Sequence, residues 1–176
     1  MLDFSNSKIL IVGDVMLDKY YFGKVDRISP EAPVPIVNIQ KEESRLGGAS
    51  NVANNIVSLG GHSLLCGVIG HDLFGKEIER ISRHKNIDTF LLKTSSPTIT
   101  KARIIGGKQQ IVRVDYEDKS ELNADNKKLF RDTISRILPE YDILVISDYG
   151  KGLISEDLCR YLIKLAHKYD KKVIID

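Results

Sequence analysis

The chain has few of the residues that mark secreted or metal-binding proteins. Its 176 residues include two cysteines and no tryptophan. Cys66 and Cys159 lie far apart in apolar segments, where free thiols behave as small hydrophobes. Their spacing predicts neither a disulfide framework nor a zinc site, so no metal site and a reducing, cytoplasmic location are expected.

Long hydrophobic runs and an excess of charge are lacking too. No apolar stretch approaches the ~20 residues of a membrane-spanning helix, and residues 1–8 lack the pattern of a secretory signal. The formal net charge is only +2. So weak a field predicts neither nucleic acid nor a membrane as a partner.

What is present is an alternation of apolar strands and amphipathic helices. The runs that read as strands buried on both faces are residues 8–13, 63–70, 142–146 and 173–175. A short strand is predicted at 88–93. Helices are predicted at 47–59, from Asp72, at 123–138 and from Ser155. This alternation implies an α/β fold of three layers with a mostly parallel central sheet.

Two polar segments, at about 15–40 and 98–115, interrupt this rhythm. Three prolines break up the first, which predicts an extended excursion or a short edge strand. The second reads as two strands joined by a two-residue turn at Gly106-Gly107. Its side chains, among them Lys101 and Arg103, are too polar for the centre of a parallel sheet. We expect both segments to form a small second sheet.

The chain stops at Asp176, directly after a strand of the predicted central sheet. A strand there needs a following loop and helix to cover one face of the sheet. We therefore expect the chain to be part of a longer protein, or a partner to supply the rest.

Acidic residues follow three of the predicted strands, namely Asp14, Asp148 and Asp176. Ligands of open α/β sheets bind beyond the carboxyl ends of the parallel strands. A single aspartate there caps a turn about as often as it binds a ligand. Three on one edge favour an active site.

Two glycine-bearing segments add to this edge. Gly47-Gly48 precedes a helix, where a ligand can approach backbone N–H groups and the helix dipole, although such a pair by itself is more often a structural turn. Asn51, one turn on, suits a sugar hydroxyl. Lys151 stands between two glycines and fits either a phosphate or solvent. No phosphate-loop or dinucleotide fingerprint is present, which disfavours a nicotinamide-dependent dehydrogenase.

Several segments resemble one family. GGASNVANNIVSLGG, at 47–61, is similar to the first signature of the ribokinase, or phosphofructokinase-B, family of sugar kinases. RISPEAPVPIV, at 27–37, resembles a segment typical of the D-glycero-β-D-manno-heptose 7-phosphate kinases in that family. Four further segments fit the same family in order: VGDVMLDKYYFG at 12–23, IGHDLFGKEI at 69–78, PTITKARII at 97–105 and ISDYGKG at 146–152.

The resemblance implies a ribokinase-like fold whose small sheet serves as a lid. It implies ATP- and Mg²⁺-dependent phosphorylation of the heptose 7-phosphate at its anomeric hydroxyl, on the route to ADP-heptose and lipopolysaccharide. Residues 1–176 would be the amino-terminal portion of one kinase domain, with lid segments at about 15–40 and 98–115. Members are often homodimers through the lid sheet, and many are fused to an adenylyltransferase.

The resemblance also implies roles for residues of this chain. Asp14, the Gly47-Gly48 pair and Asn51 would bind sugar hydroxyls, while Asp148 and Lys151 would face the substrate or the phosphoryl-transfer region. Lys101 and Arg103 would hold the sugar phosphate. An equally good interpretation is that they are solvent-facing charges of the hairpin.

One part of the family pattern is missing. The catalytic base belongs to a glycine-rich GAGD-type motif, expected beyond Asp176, and an Asn-x-x-Glu motif that assists Mg²⁺ also comes late. We therefore expect no catalytic residue in this chain and no turnover by it alone. The alternatives are another sugar kinase of the same superfamily, or a non-catalytic fragment that binds sugar phosphate or dimerises.

Overall fold

A computed structural model describes residues 4–176 as two β-sheets and four α-helices. The strands are β1 (Lys8–Gly13), β2 (Val15–Ile28), β3 (Pro35–Gly48), β4 (His62–Gly70), β5 (Asp88–Thr94), β6 (Thr100–Gly106), β7 (Gln109–Tyr116), β8 (Ile143–Ser147) and β9 (Lys172–Ile175). The helices are α1 (Ala49–Ser58), α2 (Leu73–His84), α3 (Ala124–Ile137) and α4 (Glu156–Lys168).

The central sheet has the strand order β5-β4-β1-β8-β9, and all of its strands are parallel. Successive side chains of β1 point to opposite faces of the sheet. Leu10 lies in the same core cluster as Phe130 of α3, whereas Ile11 lies in the same core cluster as Ile78 of α2. Helices α3 and α4 thus cover one face, and α1 and α2 cover the other. The predicted three-layer α/β fold with a parallel sheet is confirmed.

Strand β9 departs from the prediction of a buried strand. Ile174 is 51% exposed and Ile175 58%. Within the described residues 4–176, the strand lies at the edge of the central sheet and has β8 as its one neighbour. The prediction of burial was therefore wrong for β9 in this chain, because an apolar run cannot show whether a second neighbour and covering helices lie beside it.

The second sheet has the order β3-β2-β6-β7, with β2 and β6 parallel and the other two pairs antiparallel. It takes in both of the segments that the sequence sets apart. The first segment is more regular than expected: β2 and β3 have 14 residues each, and Pro35 stands at the first position of β3, where a missing N–H is tolerated. The expected short edge strand was wrong, and Gly47-Gly48 closes β3 before helix α1 begins at Ala49.

The turn between β6 and β7 is shifted by one residue from the predicted Gly106-Gly107. Gly106 pairs with Gln109, so the two loop residues are Gly107 and Lys108. Gly107 has φ of 64°, and a type II′ hairpin places glycine at this first loop position.

The predicted helix caps are confirmed. Oδ1 of Asp72 accepts from the N–H of Gly75 at 2.8 Å, and Oγ of Ser155 accepts from the N–H of Leu158 at 3.2 Å. Asn123 caps α3 in the same way. Within residues 4–176, none of the helices combines the length and apolar character needed to cross a membrane.

Candidate functional site

The three acidic strand ends lie along one edge, here called the carboxyl edge of the central sheet. The N–H of Asp14 donates to the carbonyl of Ser147 at 3.1 Å, and the N–H of Asp148 donates to the carbonyl of Asp176 at 2.9 Å. Asp148 and Asp176 are exposed, whereas Asp14 is only 1% exposed. The sequence predicted this shared edge correctly but did not predict the burial of Asp14.

The carboxylate of Asp14 holds the loop that follows β8. Its Oδ2 accepts from the N–H groups of Tyr149, at 2.9 Å, and Lys151, at 3.1 Å. Its Oδ1 is buried and has no hydrogen-bond partner among residues 4–176. Burial raises the pKa of Asp14; the two N–H groups oppose this, and the nearby charge of Asp148 adds to it.

The start of helix α1 lies against the backbone of Asp14. The carbonyl oxygen of Asp14 accepts a hydrogen bond from the N–H of Ala49 at 3.0 Å. Gly48 has φ of 55°, and a Cβ there would lie 2.4 Å from that same carbonyl oxygen. Only glycine therefore permits this approach. Asn51 is exposed two residues into the helix.

One face of the second sheet is polar close to this helix start. The register places Asp18 of β2 between Arg45 of β3 and Lys101 of β6. Arg103, two residues further along β6, donates to Oδ1 of Asp18 at 2.6 Å. We call the side chains of Asp18, Tyr20, Arg45, Lys101 and Arg103 the polar face.

The polar face is rich in cations around one aromatic ring. The guanidinium groups of Arg45 and Arg103 lie 4.7 and 5.2 Å from the ring centre of Tyr20. Burial lowers the pKa of Arg103, but the Asp18 carboxylate outweighs it, so the net pKa is raised. Lys101 is half-buried and forms no ion pair within the described part of the chain.

The sequence prediction missed three polar-face residues, Asp18, Tyr20 and Arg45, and Asp18 is the one that lies against the glycine pair. A Cβ at Gly47 would lie 2.6 Å from its Oδ2, so the carboxylate rests directly against the glycine pair. The alternation of Asp18, Tyr20 and Phe22 along β2 put an acid on one face of a strand. That pattern could have identified it, but an acid in a surface strand is too common to single out.

The predicted residues therefore form two adjoining groups. Asp14 and the 148–151 loop make up the first, and Lys101 and Arg103 belong to the second. Gly47-Gly48 joins them, because Gly48 contacts Asp14 and Gly47 contacts Asp18. Lys151 forms an ion pair with Glu117, a residue that follows β7.

A cleft of about 640 Å³ opens beside the first group, a size common for small-molecule sites. Asp14 and Lys151 line it together with apolar side chains such as Ile69 and Leu153. Serine and asparagine side chains supply much of the remaining lining. A cleft lined by some apolar side chains and many neutral hydrogen-bonding groups suits a polyhydroxylated ligand.

Dedicated metal ligands are absent from the part of the chain that the structure describes: no three histidine, cysteine, aspartate or glutamate side chains come close enough to bind an ion.

Solved structures show which class of protein has this fold. A putative phosphofructokinase from Staphylococcus aureus matches with a TM-score of 0.77 and 15% identity, over 96% of this chain and 52% of that one. A possible 1-phosphofructokinase from Thermotoga maritima matches with a TM-score of 0.73 and 22% identity, over 96% and 53%. The chain thus has the ribokinase-like α/β fold, with a parallel central sheet and a small second sheet.

The sequence then places the chain within that class. The pfkB family of carbohydrate kinases matches it over residues 6–176, and the chain belongs to this family.

Two curated relatives are more similar in sequence. The bifunctional protein HldE of Helicobacter pylori is 46% identical over 171 residues, which are 96% of this chain and 37% of that protein. The D-beta-D-heptose 7-phosphate kinase of Bordetella bronchiseptica is 43% identical over 173 residues, 98% of this chain and 54% of that protein. The chain thus spans between about a third and about half of the length of these relatives.

Proposed function

We propose that this chain is the sugar-binding part of a kinase that uses ATP to phosphorylate D-glycero-β-D-manno-heptose 7-phosphate. The product would be the 1,7-bisphosphate, on a cytoplasmic route to ADP-heptose and lipopolysaccharide. Membership of the carbohydrate kinase family and the names of the two relatives support the reaction class and the substrate.

The observation that carries the proposal is the continuity of the two residue groups. Hydrogen bonds and close contacts lead from the 149–151 loop through Asp14 to Gly48, and from Gly47 through Asp18 to Arg103. A ligand lying over this line would meet carboxylates suited to hydroxyls at its centre and a cation at each end.

The polar face would bind the 7-phosphate. A phosphate carries close to two negative charges and strong acceptor oxygens, which cations recognise. Lys101 supplies a half-buried ammonium group with no internal partner within residues 4–176. Arg103 would share its guanidinium between Asp18 and the phosphate.

The other end of the substrate would lie at the carboxyl edge. Asn51 and Oδ1 of Asp14, which has no hydrogen-bond partner within residues 4–176, would meet sugar hydroxyls, and Lys151 would face the phosphoryl group in transfer. Magnesium usually binds one or two carboxylates together with substrate phosphates. Asp148, exposed at this edge, fits that limited role, and the ion would neutralise phosphate charge.

Phosphoryl transfer also needs a group that takes the proton of the attacking anomeric hydroxyl. We expect that group in a part of the protein beyond Asp176, so this chain is expected to bind the sugar phosphate and turn over no ATP.

We also propose that the protein forms a homodimer through the second sheet. Apolar side chains on the β2–β3 hairpin are well exposed there, for example Ile28 at 60% and Val34 at 51%.

Calorimetry of this chain tests the proposal with two ligands, heptose 7-phosphate and the same heptose without phosphate. We expect the phosphorylated sugar to bind more tightly. Lys101→Met should weaken it about tenfold, the loss typical of one charge-assisted hydrogen bond, and should leave the unphosphorylated sugar unchanged.

Arg113→Met is the matched control, because Arg113 lies beside Arg103 in the same register but pairs with Asp115. Equal losses in both variants would remove the phosphate role of Lys101. Tighter binding of ribose or fructose than of the heptose phosphate would favour another sugar kinase, and absence of any sugar binding would refute the proposal.

A further inference from the structure

Lys151 is held in place at both ends. Its N–H donates to Oδ2 of Asp14 at 3.1 Å, and its ammonium group pairs with the carboxylate of Glu117. The lysine side chain is only 13% exposed, although it lies in a loop and lines the cleft. The ammonium group of Lys151 is therefore already paired with an acid.

Glu117 is the acid that pairs with this lysine. Its carboxylate lies between the ammonium group of Lys151 and that of Lys119, which is 3.7 Å away. The Lys151 hydrogen bond, more than any other influence, lowers the pKa of Glu117. A carboxylate between two ammonium groups has the surroundings of a bound phosphate oxygen.

The backbone keeps Glu117 close to the lysine loop. Gly152 has φ of 102°, and a Cβ there would lie 2.7 Å from the carbonyl oxygen of Lys119. Ser120 and Ser96 both donate to the carboxylate of Asp118, which ties the segment to the end of β5. The contact between Glu117 and Lys151 is thus one between two fixed segments.

We propose that Glu117 is an internal competitor for the anion site at Lys151, so that a phosphoryl group must displace its carboxylate in order to bind. This inference rests on the anion-binding role proposed above for Lys151. The site would therefore select anions by their charge. A phosphoryl group carries nearly two negative charges and displaces the carboxylate, whereas an anion of one charge does not bind Lys151 more strongly than Glu117 does.

The displacement also acts across the two sheets. Glu117 directly follows β7 of the second sheet, and Lys151 belongs to a loop of the central sheet. Binding of a phosphoryl group at Lys151 therefore breaks an ion pair that joins them.

Titration of this chain with inorganic phosphate, followed by calorimetry or by amide chemical shifts, tests the inference. We expect Glu117→Gln to bind phosphate about tenfold more tightly than the wild type. Removal of a partly buried competing charge typically changes an affinity by about this factor. Glu121→Gln is the matched control: it removes the same charge beside the same cleft, but Glu121 pairs with Lys127. We expect it to change the affinity less than twofold.

A double variant completes the test. Lys151→Gln in the Glu117→Gln background should abolish the gain. The inference is overturned if both glutamate variants gain equally, if the gain survives Lys151→Gln, or if Glu117→Gln binds no phosphate. Thermal unfolding of each variant verifies that it is folded. Failure of phosphate binding while heptose still binds would refute this inference and leave the proposed function standing.

Discussion

Two aspartates follow strands β1 and β4. Both accept hydrogen bonds from backbone N–H groups, but their pKa values are shifted in opposite directions. Asp14 accepts from two backbone N–H groups of the loop after β8. Asp72 accepts from the N–H groups of Gly75 and Thr98, each at 2.8 Å. Yet the pKa of Asp14 is raised and that of Asp72 is lowered.

Two differences set the directions of the shifts. Asp14 is fully buried beside the charge of Asp148, whereas Asp72 is only partly buried and receives more hydrogen bonds. Burial is the largest single influence on both and raises both pKa values. At Asp72, the Thr98 hydroxyl, at 2.7 Å, and the N–H of Phe74 add to the two other bonds and outweigh burial. At Asp14, the N–H groups of Tyr149, Lys151 and Leu153 lower the pKa but do not outweigh burial, and Oδ1 has no hydrogen-bond partner within residues 4–176. A carboxylate whose every oxygen is bonded is a structural anchor, whereas one with a free oxygen retains capacity for a ligand.

Removal of the Asp14 carboxylate should have the largest effect. Asp14→Leu leaves the N–H groups of Tyr149 and Lys151 without their acceptor, and we expect a loss of about 3 kcal/mol in the free energy of unfolding, measured in urea. Asp14→Asn keeps an acceptor oxygen and should lose less than half as much. Equal losses in the two variants would show that shape, and not hydrogen bonding, matters at this position.

A smaller loss is expected at Asp72. Asp72→Ala removes the cap of α2 and the two bonds to Thr98, and should cost about 2 kcal/mol. The control is Asn123→Ala, which removes a cap that bonds only Asn126 and should cost about 1 kcal/mol. If Asp72→Ala costs no more than the control, its bonds to Thr98 do not stabilise the fold.

The smallest effect is a difference in pH dependence. The folded-state pKa of Asp14 lies above the ordinary 3.8, so its contribution is full below that value and is lost as pH rises through the folded pKa. The folded-state pKa of Asp72 lies below 3.8, so its contribution is full above that value and is lost as pH falls.

Unfolding free energies of the wild type, Asp14→Asn and Asp72→Asn, measured from about pH 3 to pH 7, would show this. Relative to Asp14→Asn the wild type should lose stability as pH rises, and relative to Asp72→Asn it should gain. Two slopes of the same sign would contradict the comparison.

The central sheet was predictable because apolar runs and helix caps are local signals. The run at Lys8–Gly13 and the caps Asp72 and Ser155 required no knowledge of distant residues. The 14-residue strands β2 and β3 were less predictable, since each is stabilised mainly by its partner. Proline and charge in that segment favoured an irregular excursion.

The candidate site was predictable in composition but not in orientation. The glycine pair and the acidic strand ends marked the carboxyl edge. That Asp14 turns inward to the loop after β8 depends on a hydrogen bond between residues 135 positions apart. The pairing of Lys151 with Glu117 is also a contact between residues distant in the sequence, and no spacing rule connects them.

Asp14 is the only residue between strands β1 and β2. The first of these strands belongs to the central sheet and the second to the smaller one. If the angle between the sheets changes, the torsions of Asp14 are a natural pivot, and its side chain would turn with them. Because that side chain holds Tyr149 and Lys151, the lysine loop would be carried along as the smaller sheet swings.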